Sequence, residues 1–226
     1  MIINLPKELR RHSLKIKRAL HIGAHYGTED QLYQSLGIEP IYVEANPAVF
    51  RVLRENVPNR ECHLMAISDH VGVASFHVTS FDQSSSLLPL KKHSTIYPKI
   101  VEEQVIQVPC CTVDALLGER CSSIDLINMD IQGAELLALQ GAKKTLPHVS
   151  CIVSEVNREE LYAGCAMLEQ LDAFLEDFGF TRTKTQFKYH PSWGDALYIK
   201  REMIKQPTRL ASLLNRLGFG RSKSAA

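Results

Sequence analysis

The sequence predicts an α/β protein in which helices cover both faces of a doubly wound, mostly parallel sheet. Short apolar runs that end in glycine or in a polar residue alternate with segments of helical periodicity. Strands that are separated by helices pair in parallel through right-handed crossovers. The composition, with 45% hydrophobic and 23% charged residues among 226, is that of an ordinary globular protein.

The predicted strands are short and apolar, and several end at a residue that can take part in chemistry. Residues 19–23 form such a run, which ends at a glycine and leads into a turn. Residues 124–129 end at Asp130, and residues 151–154 end at Glu155. In chain order, the predicted strands cover residues 19–23, 41–44, 63–68, 74–79, 105–112, 124–129, 151–154, 181–187 and 196–200.

Capping residues mark where several helices begin. Thr28 is a suitable N-cap for the first helix of the alternating pattern. Asn46 and Pro47 are a typical N-cap and first residue for the next helix. The last helix has a single apolar stripe, which predicts burial against the sheet. The predicted helices cover residues 29–36, 46–57, 134–146 and 167–178.

Residues 80–107 break the alternation of strands and helices. They contain three consecutive serines at 84–86, two prolines and the pair Lys91 and Lys92. This segment is too long to be a plain connection between two elements. We therefore expect an insert or a lid.

Several classes of protein are excluded by the sequence. No apolar run reaches the roughly 18 residues that a membrane helix needs, and the N-terminal residues lack the apolar core of a secretory signal. Six cysteines are present, but none forms a CxxC pair and no histidine lies at zinc-finger spacing. We expect a soluble, cytoplasmic protein with free thiols.

The net charge of +1 conceals an uneven distribution. Residues 7–18 and residues 201–226 each carry six Lys or Arg and one Glu, which leaves about −9 on residues 19–200. An acidic body is unlike a nucleic-acid channel, so no nucleic-acid partner is expected. We predict a basic N-terminal arm or helix over 1–18, one domain over 19–200, and a basic amphipathic tail over 201–226. The tail is suited to contact with another subunit or with a membrane surface.

Two features near the start of the predicted sheet indicate a nucleoside ligand. Gly23 and Gly27 follow the first strand, but they lack the G-x-G-x-x-G spacing that brings a diphosphate to a helix N-terminus. Glu44 ends the second strand, where a carboxylate can accept both hydrogen bonds of a ribose diol. The site therefore suits an adenosine without a diphosphate, and S-adenosylmethionine is such a ligand.

Eight segments, taken in order, make the interpretation more specific. They are HIGAHYGTE, YVEANP, AISD, QSSSLL, TVDALL, INMDIQGAELLALQGA, SEVNREELYAGC and WGDALYIK. In this order, and from about residue 19 to residue 200, the chain resembles the FkbM family of methyltransferases. The resemblance implies a class I methyltransferase fold, with seven strands of which the last is antiparallel. It also implies S-adenosylmethionine as the methyl donor and a hydroxyl of a sugar, glycan or small natural product as the acceptor.

The resemblance also implies individual site residues. Glu44 is implied to hold the ribose hydroxyls, and Asp130 is implied to reach the methionine end or the transferring methyl group. Ile67, Ser68 and Asp69 are implied to face adenine. The cofactor-binding residues implied in this way are Gly23, Ala24, His25, Gly27, Glu44, Ala45, Asn46, Ile67, Ser68 and Asp130.

One position departs from the family pattern. Many relatives have an acidic residue where this chain has His21. An imidazole cannot replace a carboxylate as the acceptor for the cofactor ammonium, so another group must make that contact, and Asp130 is the candidate. The alternative for His21 is a core-edge imidazole that is bonded to backbone.

Two carboxylates at strand ends are the candidate catalytic residues. A hydroxyl acceptor gains about 10²–10⁴-fold in rate from a base within hydrogen-bond reach. Asp130 and Glu155 are placed to act in this way, and His190 is less favoured. The structural alternatives are a helix N-cap for Asp130 and pairing with Arg158 for Glu155. Glu135 is interpreted as a first-turn helix charge.

The acceptor site is less defined by the sequence. Ser85 in the insert, Asn157 after the fifth strand of the parallel set, and Trp193 before the last strand are the candidate substrate-binding residues. Their structural alternatives are a polar turn, a strand end and a core aromatic. The insert also carries basic residues that could meet a phosphate-bearing acceptor, namely Lys91, Lys92, His93 and Lys99.

A divalent metal is not favoured. Asp130 and Glu155 offer the oxygen ligands that magnesium takes, and some sugar O-methyltransferases of this broad fold use it. The sequence lacks dense carboxylate spacing such as D-x-D around them. No metal ligand is therefore assigned.

Three functions remain open from the sequence. The leading hypothesis is an S-adenosylmethionine-dependent O-methyltransferase. A nicotinamide-dependent oxidoreductase shares the carboxylate of the second strand but needs a diphosphate turn that this chain lacks. A non-catalytic cofactor-binding domain is kept open by the departure at His21.

Overall fold

The computed structural model describes residues 2–204. Its larger sheet is made of seven strands, and a second sheet is made of three. The strands are β1 Arg18–Ile22, β2 Glu39–Glu44, β3 Glu61–Leu64, β4 Ala66–Ile67, β5 Gly72–Thr79, β6 Glu102–Cys111, β7 Leu126–Met129, β8 Cys151–Asn157, β9 Phe180–His190 and β10 Trp193–Lys200.

The large sheet has the strand order β3-β2-β1-β7-β8-β10-β9. The five strands from β3 to β8 pair in parallel. Strand β10 lies between β8 and β9 and is antiparallel to both. The expected doubly wound, mostly parallel sheet of seven strands with an antiparallel last strand is confirmed. The order reverses between β1 and β7, and ligands bind at such a switch point, beyond the carboxyl ends of the strands.

Part of the predicted insert belongs to the small sheet. Strand β6 pairs antiparallel with β5 along almost its whole length and parallel with β4 at its end. Residues 102–107, which were assigned to the irregular insert, are therefore the first part of β6. The remaining insert, residues 80–101, contains one 3₁₀ turn over Asp82–Ser84 and one short helix.

The helices begin and end close to the predicted positions, with two exceptions. Asn46 caps α3 by accepting from the amide of Ala48, as expected. Thr28 is not a cap, because the residue before α2 is Glu29 and no side chain caps that helix. The predicted helix over 134–146 is shorter and ends at Gln140. The helices are α1 Leu5–His12, α2 Asp30–Ser35, α3 Pro47–Asn56, α4 His93–Ile96, α5 Val113–Leu117, α6 Glu135–Gln140 and α7 Leu168–Asp177.

The N-terminal residues, predicted as a basic arm or helix, contain helix α1, which packs on the large sheet. Helix α1 buries Leu5 and Leu9, which pack with Ile3 in the core on one face of the large sheet. The amides of Ile2 and Ile3 donate to the carboxylate of Asp195 on β10. The predicted basic tail over 201–226 lies outside the described residues from position 205 onward.

Apolar clusters cover both faces of the large sheet. One contains α5, α6 and α7 together with one set of alternating strand residues, and the other contains α1, α3 and the opposite set. All six cysteines lie within the described residues and are free thiols. Among residues 2–204, no helix has the length and apolar character to cross a membrane.

Candidate active site

A cleft of about 420 Å³ opens at the carboxyl ends of the central strands. One wall is the end of β1, β2, β7 and β8, and the other is the insert over 80–101. The lining includes ten residues that the sequence singled out as site residues: Gly23, Ala24, His25, Glu44, Ala45, Ile67, Ser85, Asp130, Glu155 and Trp193. The topology therefore brings most of the predicted site together.

The turn after β1 is built for close packing of backbone. Gly23 has φ +75°, and a Cβ at this position would lie 2.0 Å from the carbonyl oxygen of Asp130. The β1 and β7 ends can approach each other only because this residue is glycine. Gly27 has a different role, because a Cβ there would meet Leu53 of α3 at 2.8 Å, and Gly27 does not line the cleft.

Glu44 presents a buried carboxylate to the cleft. Its Oε2 accepts from the amide of His25 at 2.9 Å, and its Oε1 accepts from the amide of Asn46 at 2.8 Å. Burial raises the pKa of this carboxyl group, and the amides of Asn46 and His25 oppose the shift. Each oxygen keeps one further lone pair, so the group is held in place and still able to accept two hydrogen bonds.

Asp130 and Glu155 lie side by side at the ends of β7 and β8. The Nε2 of Gln132 donates to Asp130 Oδ1 at 2.6 Å and to Glu155 Oε2 at 2.8 Å. Burial and the neighbouring carboxylate of Asp130 raise the pKa of Glu155 well above its usual range. Glu155 does not pair with Arg158, whose guanidinium stacks on a phenyl ring. One side-chain amide therefore holds both carboxyl groups.

Gln132 was not predicted from the sequence. It has φ +56°, a backbone conformation that is costly for a residue with a side chain. Its Oε1 accepts from the hydroxyl of Tyr162 at 2.6 Å, so the whole amide is satisfied. Strain at a residue that orients two facing carboxylates is typical of a functional site.

Glu135 also differs from its sequence interpretation. It is buried rather than solvated, and its Oε1 accepts from the amides of Ile131 and Gly133. It therefore holds the turn between β7 and α6, and Asp130 is not the N-cap of α6, since Ala134 takes that position. Burial raises the pKa of Glu135.

The insert closes the cleft through contacts with the turn after β1. The hydroxyl of Tyr26 donates to Asp82, and the Nε2 of His25 lies 3.2 Å from the other oxygen of Asp82. Ser85 accepts from the amide of Thr79 at 3.1 Å, so its hydroxyl organises the insert as well as lining the cleft.

Aromatic side chains form the far end of the cleft. His93, at the start of α4, is 4% exposed, and its ring lies 5.0 Å from that of Tyr97 and 5.4 Å from that of Tyr162. The indole nitrogen of Trp193 donates to the hydroxyl of Tyr97 at 3.1 Å. This end of the cleft has the flat apolar surfaces on which a sugar ring can stack.

Six residues that the sequence offered for the site do not line the cleft: Gly27, Asn46, Ser68, Asp69, Asn157 and His190. Asn46 supports Glu44 and caps α3 instead. Ser68 is buried, and its amide donates to the carbonyl of Cys111. Asn157 is 1% exposed, and neither polar atom of its side chain has a hydrogen-bond partner among the described residues.

His21 lines the cleft and is buried, but its partners are side chains rather than backbone. Its Nε2 lies 3.0 Å from the side-chain nitrogen Nδ2 of Asn128, and its Nδ1 lies 3.4 Å from the hydroxyl oxygen of Tyr33. Burial lowers the pKa of the imidazole. A neutral His21 therefore belongs to a polar cluster under the cleft.

Two of the three lysines of the insert, Lys91 and Lys92, are in ion pairs. Lys91 contacts Glu160 at 2.5 Å, and Lys92 contacts Glu159 at 2.6 Å. Both side chains point to the loop after β8 and neither lines the cleft. Within residues 2–204, no three His, Cys, Asp or Glu side chains are grouped as a metal site requires.

The strand order with its antiparallel last strand, the carboxylate at the end of β2 and the cleft at the switch point match the class I methyltransferase fold that the sequence predicts. The model of the methyltransferase FkbM domain matches residues 21–182 of this chain. The 2-O-methyltransferase NoeI of Sinorhizobium fredii is 31% identical over 172 residues, which are 70% of this chain and 71% of that protein. The chain belongs to the FkbM methyltransferase family.

Two methyltransferases are among the solved structures that resemble this chain in fold. A putative tRNA methyltransferase of Streptococcus pneumoniae, in complex with S-adenosyl-L-methionine, is 14% identical, with a TM-score of 0.49 over 96% of this chain and 83% of that one. A TehB-like methyltransferase of Corynebacterium glutamicum is 11% identical, with a TM-score of 0.43 over 89% of each chain. These identities are too low for a substrate or a site residue to be carried over.

Proposed function

We propose that this protein transfers the methyl group of S-adenosylmethionine to a hydroxyl of an uncharged sugar, glycan or small natural product. The observation that carries the proposal is the cleft itself, in which Glu44 at one end and an aromatic surface at the other flank the Asp130–Glu155 pair. Family membership supports methyl transfer. The name of the relative NoeI, a 2-O-methyltransferase, supports oxygen as the acceptor atom.

The residues at the ends of β1 and β2 fit the cofactor. Glu44 is buried, faces the cleft and keeps lone pairs for two further hydrogen bonds, which is what a ribose diol requires. Ala24, Ala45 and Ile67 offer small or apolar surface around it. We assign the ribose to Glu44, adenine to the side of Ile67, and the methionine end to the side of Gly23 and Asp130.

The bound cofactor supplies an electrophilic methyl group on a sulfonium. The protein has to hold the acceptor hydroxyl in line with that group and keep water away. The Asp130–Glu155 pair lies between the proposed ribose site and the aromatic surface, where a hydroxyl acceptor would meet the cofactor. Gln132 fixes both carboxyl groups, so the pair can orient the hydroxyl without rearranging.

The charges of the cleft favour an uncharged acceptor. Six carboxyl groups line it, whereas no Lys or Arg among the described residues does so: the six are Glu29, Glu44, Asp82, Asp130, Glu155 and Asp195. A phosphate or carboxylate near the reacting hydroxyl would meet these groups without a cation to pair with. Lys91 and Lys92, which the sequence offered as phosphate ligands, are paired with glutamates instead.

A labelled methyl donor and a panel of acceptors test the proposal. We expect base-stable methyl ethers on uncharged oligosaccharides or hydroxylated metabolites, and none on phosphorylated or nucleotide-linked sugars. Glu44→Ala serves as the control variant, because it removes the proposed ribose contact. Methyl transfer confined to anionic acceptors would refute the acceptor class, and no transfer to any acceptor would refute the enzyme assignment.

Neither alternative function is favoured by the comparisons. A nicotinamide-dependent oxidoreductase would not fall within a methyltransferase family. The departure at His21, which kept a non-catalytic domain open, has a structural explanation, because the imidazole is bonded within the cluster below the cleft. Asp130 remains our candidate for the cofactor ammonium. A role for magnesium stays unfavoured, as the sequence predicts. Cytoplasmic location stays a prediction from the sequence.

A further inference from the structure

Gln132 links the two candidate catalytic carboxyl groups through a single side-chain amide. Its Nε2 donates one hydrogen to Asp130 Oδ1 at 2.6 Å and the other to Glu155 Oε2 at 2.8 Å. Both hydrogens of the amide are therefore used. All three side chains line the cleft. The position of this one amide therefore determines where one oxygen of each carboxyl group lies.

The amide is itself fixed from the opposite side by Tyr162. The hydroxyl of Tyr162 donates to Gln132 Oε1 at 2.6 Å, and it also lies 3.2 Å from the carbonyl oxygen of Ser84. Because a phenol has one hydrogen to donate, the shorter distance assigns that hydrogen to Gln132. Tyr162 is fully buried, and burial raises the pKa of its hydroxyl, so the group keeps its hydrogen. The tyrosine is therefore a permanent donor to the amide.

The backbone of Gln132 is held by the insert. Gln132 has φ +56°, a left-handed conformation that is costly for a residue with a side chain. The hydroxyl of Ser86 donates to the carbonyl of Gln132 at 2.8 Å. Such a conformation persists only where the surrounding structure imposes it. Here Ser86 holds the main chain and Tyr162 holds the side chain, so Gln132 has a defined position.

Tyr162 is held in turn by the insert. It pairs with Leu90 in an isolated antiparallel bridge, and the amide of Ala163 donates to the carbonyl of Pro89 at 2.9 Å. The contacts therefore run from the insert, through the tyrosine and the amide, to both carboxyl groups. A change in the position of the tyrosine hydroxyl is transmitted to both of them.

We propose that Tyr162 is a positioning residue of the methyl transfer, which acts through Gln132 on the Asp130–Glu155 pair. The inference rests on the proposed function, in which that pair orients the acceptor hydroxyl. The hydroxyl of Tyr162 bonds to the amide of Gln132, so its contribution is to keep that amide in place. A displaced carboxyl group lowers the rate, because the acceptor oxygen has to lie in line with the methyl carbon.

Tyr162→Phe tests the assignment, with Tyr198→Phe as the matched control. Both tyrosines are fully buried, and the hydroxyl of Tyr198 donates to Asp172 at 2.9 Å, outside the cleft. Each substitution removes a hydroxyl and keeps the ring, so we expect similar losses in thermal midpoint. For Tyr162→Phe we also expect kcat to fall about 10-fold, the effect of one hydrogen bond. The kcat of Tyr198→Phe should stay within about twofold of the wild-type value.

The pH profile of kcat gives a second readout, which a purely structural role would not change. The charged groups that face Glu155 are all carboxyl groups: Asp130, Glu135 and Asp195. A hydrogen bond from Gln132 favours the ionised form of a carboxyl group, so a loosened amide should raise the pKa of Glu155. We expect the acidic limb of the Tyr162→Phe profile to move upward by about 0.5–1 pH unit, and that of Tyr198→Phe to stay in place.

Each result either supports or overturns the positioning role. A kcat of Tyr162→Phe within about threefold of that of Tyr198→Phe would overturn it, as would a fall in kcat with an unmoved acidic limb. If Tyr162→Phe does not fold, Gln132→Gly is used, since glycine accepts the left-handed backbone and lacks the amide. Its kcat should fall at least about 10-fold, and a value within about threefold of the wild type would overturn the proposal. Absence of transfer by the wild-type protein would overturn the proposed function, and with it this inference.

Discussion

The two ends of the cleft are built differently. At the cofactor end, Gly23, Ala24 and Glu44 sit on the ends of strands that are buried in the large sheet, and the functional carboxylate is fixed by two backbone amides. At the proposed acceptor end, His93 begins a four-residue helix inside the insert, and Tyr97 follows that helix. Short elements on connecting segments vary more readily than strands do. We therefore propose that the cofactor end is the general part of the site and that the insert defines the acceptor.

The largest effect is expected at the cofactor end. Gly23→Ala places a methyl group 2.0 Å from a backbone carbonyl that cannot move without separating β1 from β7. We expect a loss of about 4 kcal/mol or more in the free energy of unfolding. Gly37→Ala is the matched control, because Gly37 has φ +67° but open space around it, and it should cost about 1 kcal/mol. Denaturant unfolding measures both, and equal losses would contradict the account.

Asp130→Asn tests the junction between the two ends. The amide can still accept from Gln132, so the fold should survive, but the charge next to Glu155 is lost. We expect kcat to fall by about 10²-fold, in line with the removal of one fixed electrostatic contact. Steady-state kinetics and the thermal midpoint are measured together. A fully active Asp130→Asn would remove this residue from the reaction.

Glu155→Gln tests the acidic pair through the pH dependence of the free energy of unfolding. A carboxyl group whose pKa is raised by folding binds more protons in the folded state between its unfolded and folded pKa values. The free energy of unfolding therefore falls as pH rises through that window, upward from the usual value for Glu. Glutamine does not titrate, so the variant lacks this pH-dependent loss. The free energy of unfolding of Glu155→Gln should therefore rise relative to that of the wild type as pH increases.

Thermal midpoints from about pH 5 to about pH 8 measure this difference between the two proteins. Glu169→Gln, on the exposed side of α7, is the control and should follow the wild type. A Glu155→Gln curve parallel to that of the wild type would mean that folding does not change the protonation of Glu155.

The smallest effect is expected at the outer edge of the acceptor end. Lys91→Ala with Lys92→Ala breaks two exposed ion pairs that join the insert to the loop after β8. Exposed pairs contribute little and are screened by salt. We expect the acceptor KM to rise by at most about threefold, and only at low salt. An effect that persists at high salt would mean that the lysines bind the acceptor directly.

The same comparison separates the features that could be predicted from the sequence from those that could not. Strand ends are marked by a change from apolar to polar residues, so Gly23, Glu44, Asp130 and Glu155 were identified and do meet in the cleft. Gln132 could have been noticed as the polar residue that follows Asp130, but its left-handed backbone leaves no signal in the sequence. Asp195 also lines the cleft, but it lies inside the antiparallel strand β10. The rule that ligands bind beyond the carboxyl ends of parallel strands therefore does not identify it.

The acceptor end was less predictable for a physical reason. The position of His93 depends on how the insert folds back onto the loop after β8, through long-range backbone bonds and the Lys91–Glu160 pair. No local periodicity encodes such contacts. Its charge suggested a phosphate ligand, whereas burial makes it a neutral group in an aromatic environment.

Calorimetric titration with S-adenosylhomocysteine tests the central claim most directly, because it separates the two ends of the cleft in one experiment. We predict micromolar binding to the wild type and to His93→Gln, and binding about 10-fold to 100-fold weaker to Glu44→Ala, which loses hydrogen bonds to a charged acceptor. Glu44→Gln, which keeps one acceptor oxygen, should lie between them. Equal affinity for all four proteins, or no binding to the wild type, would contradict the division of the cleft.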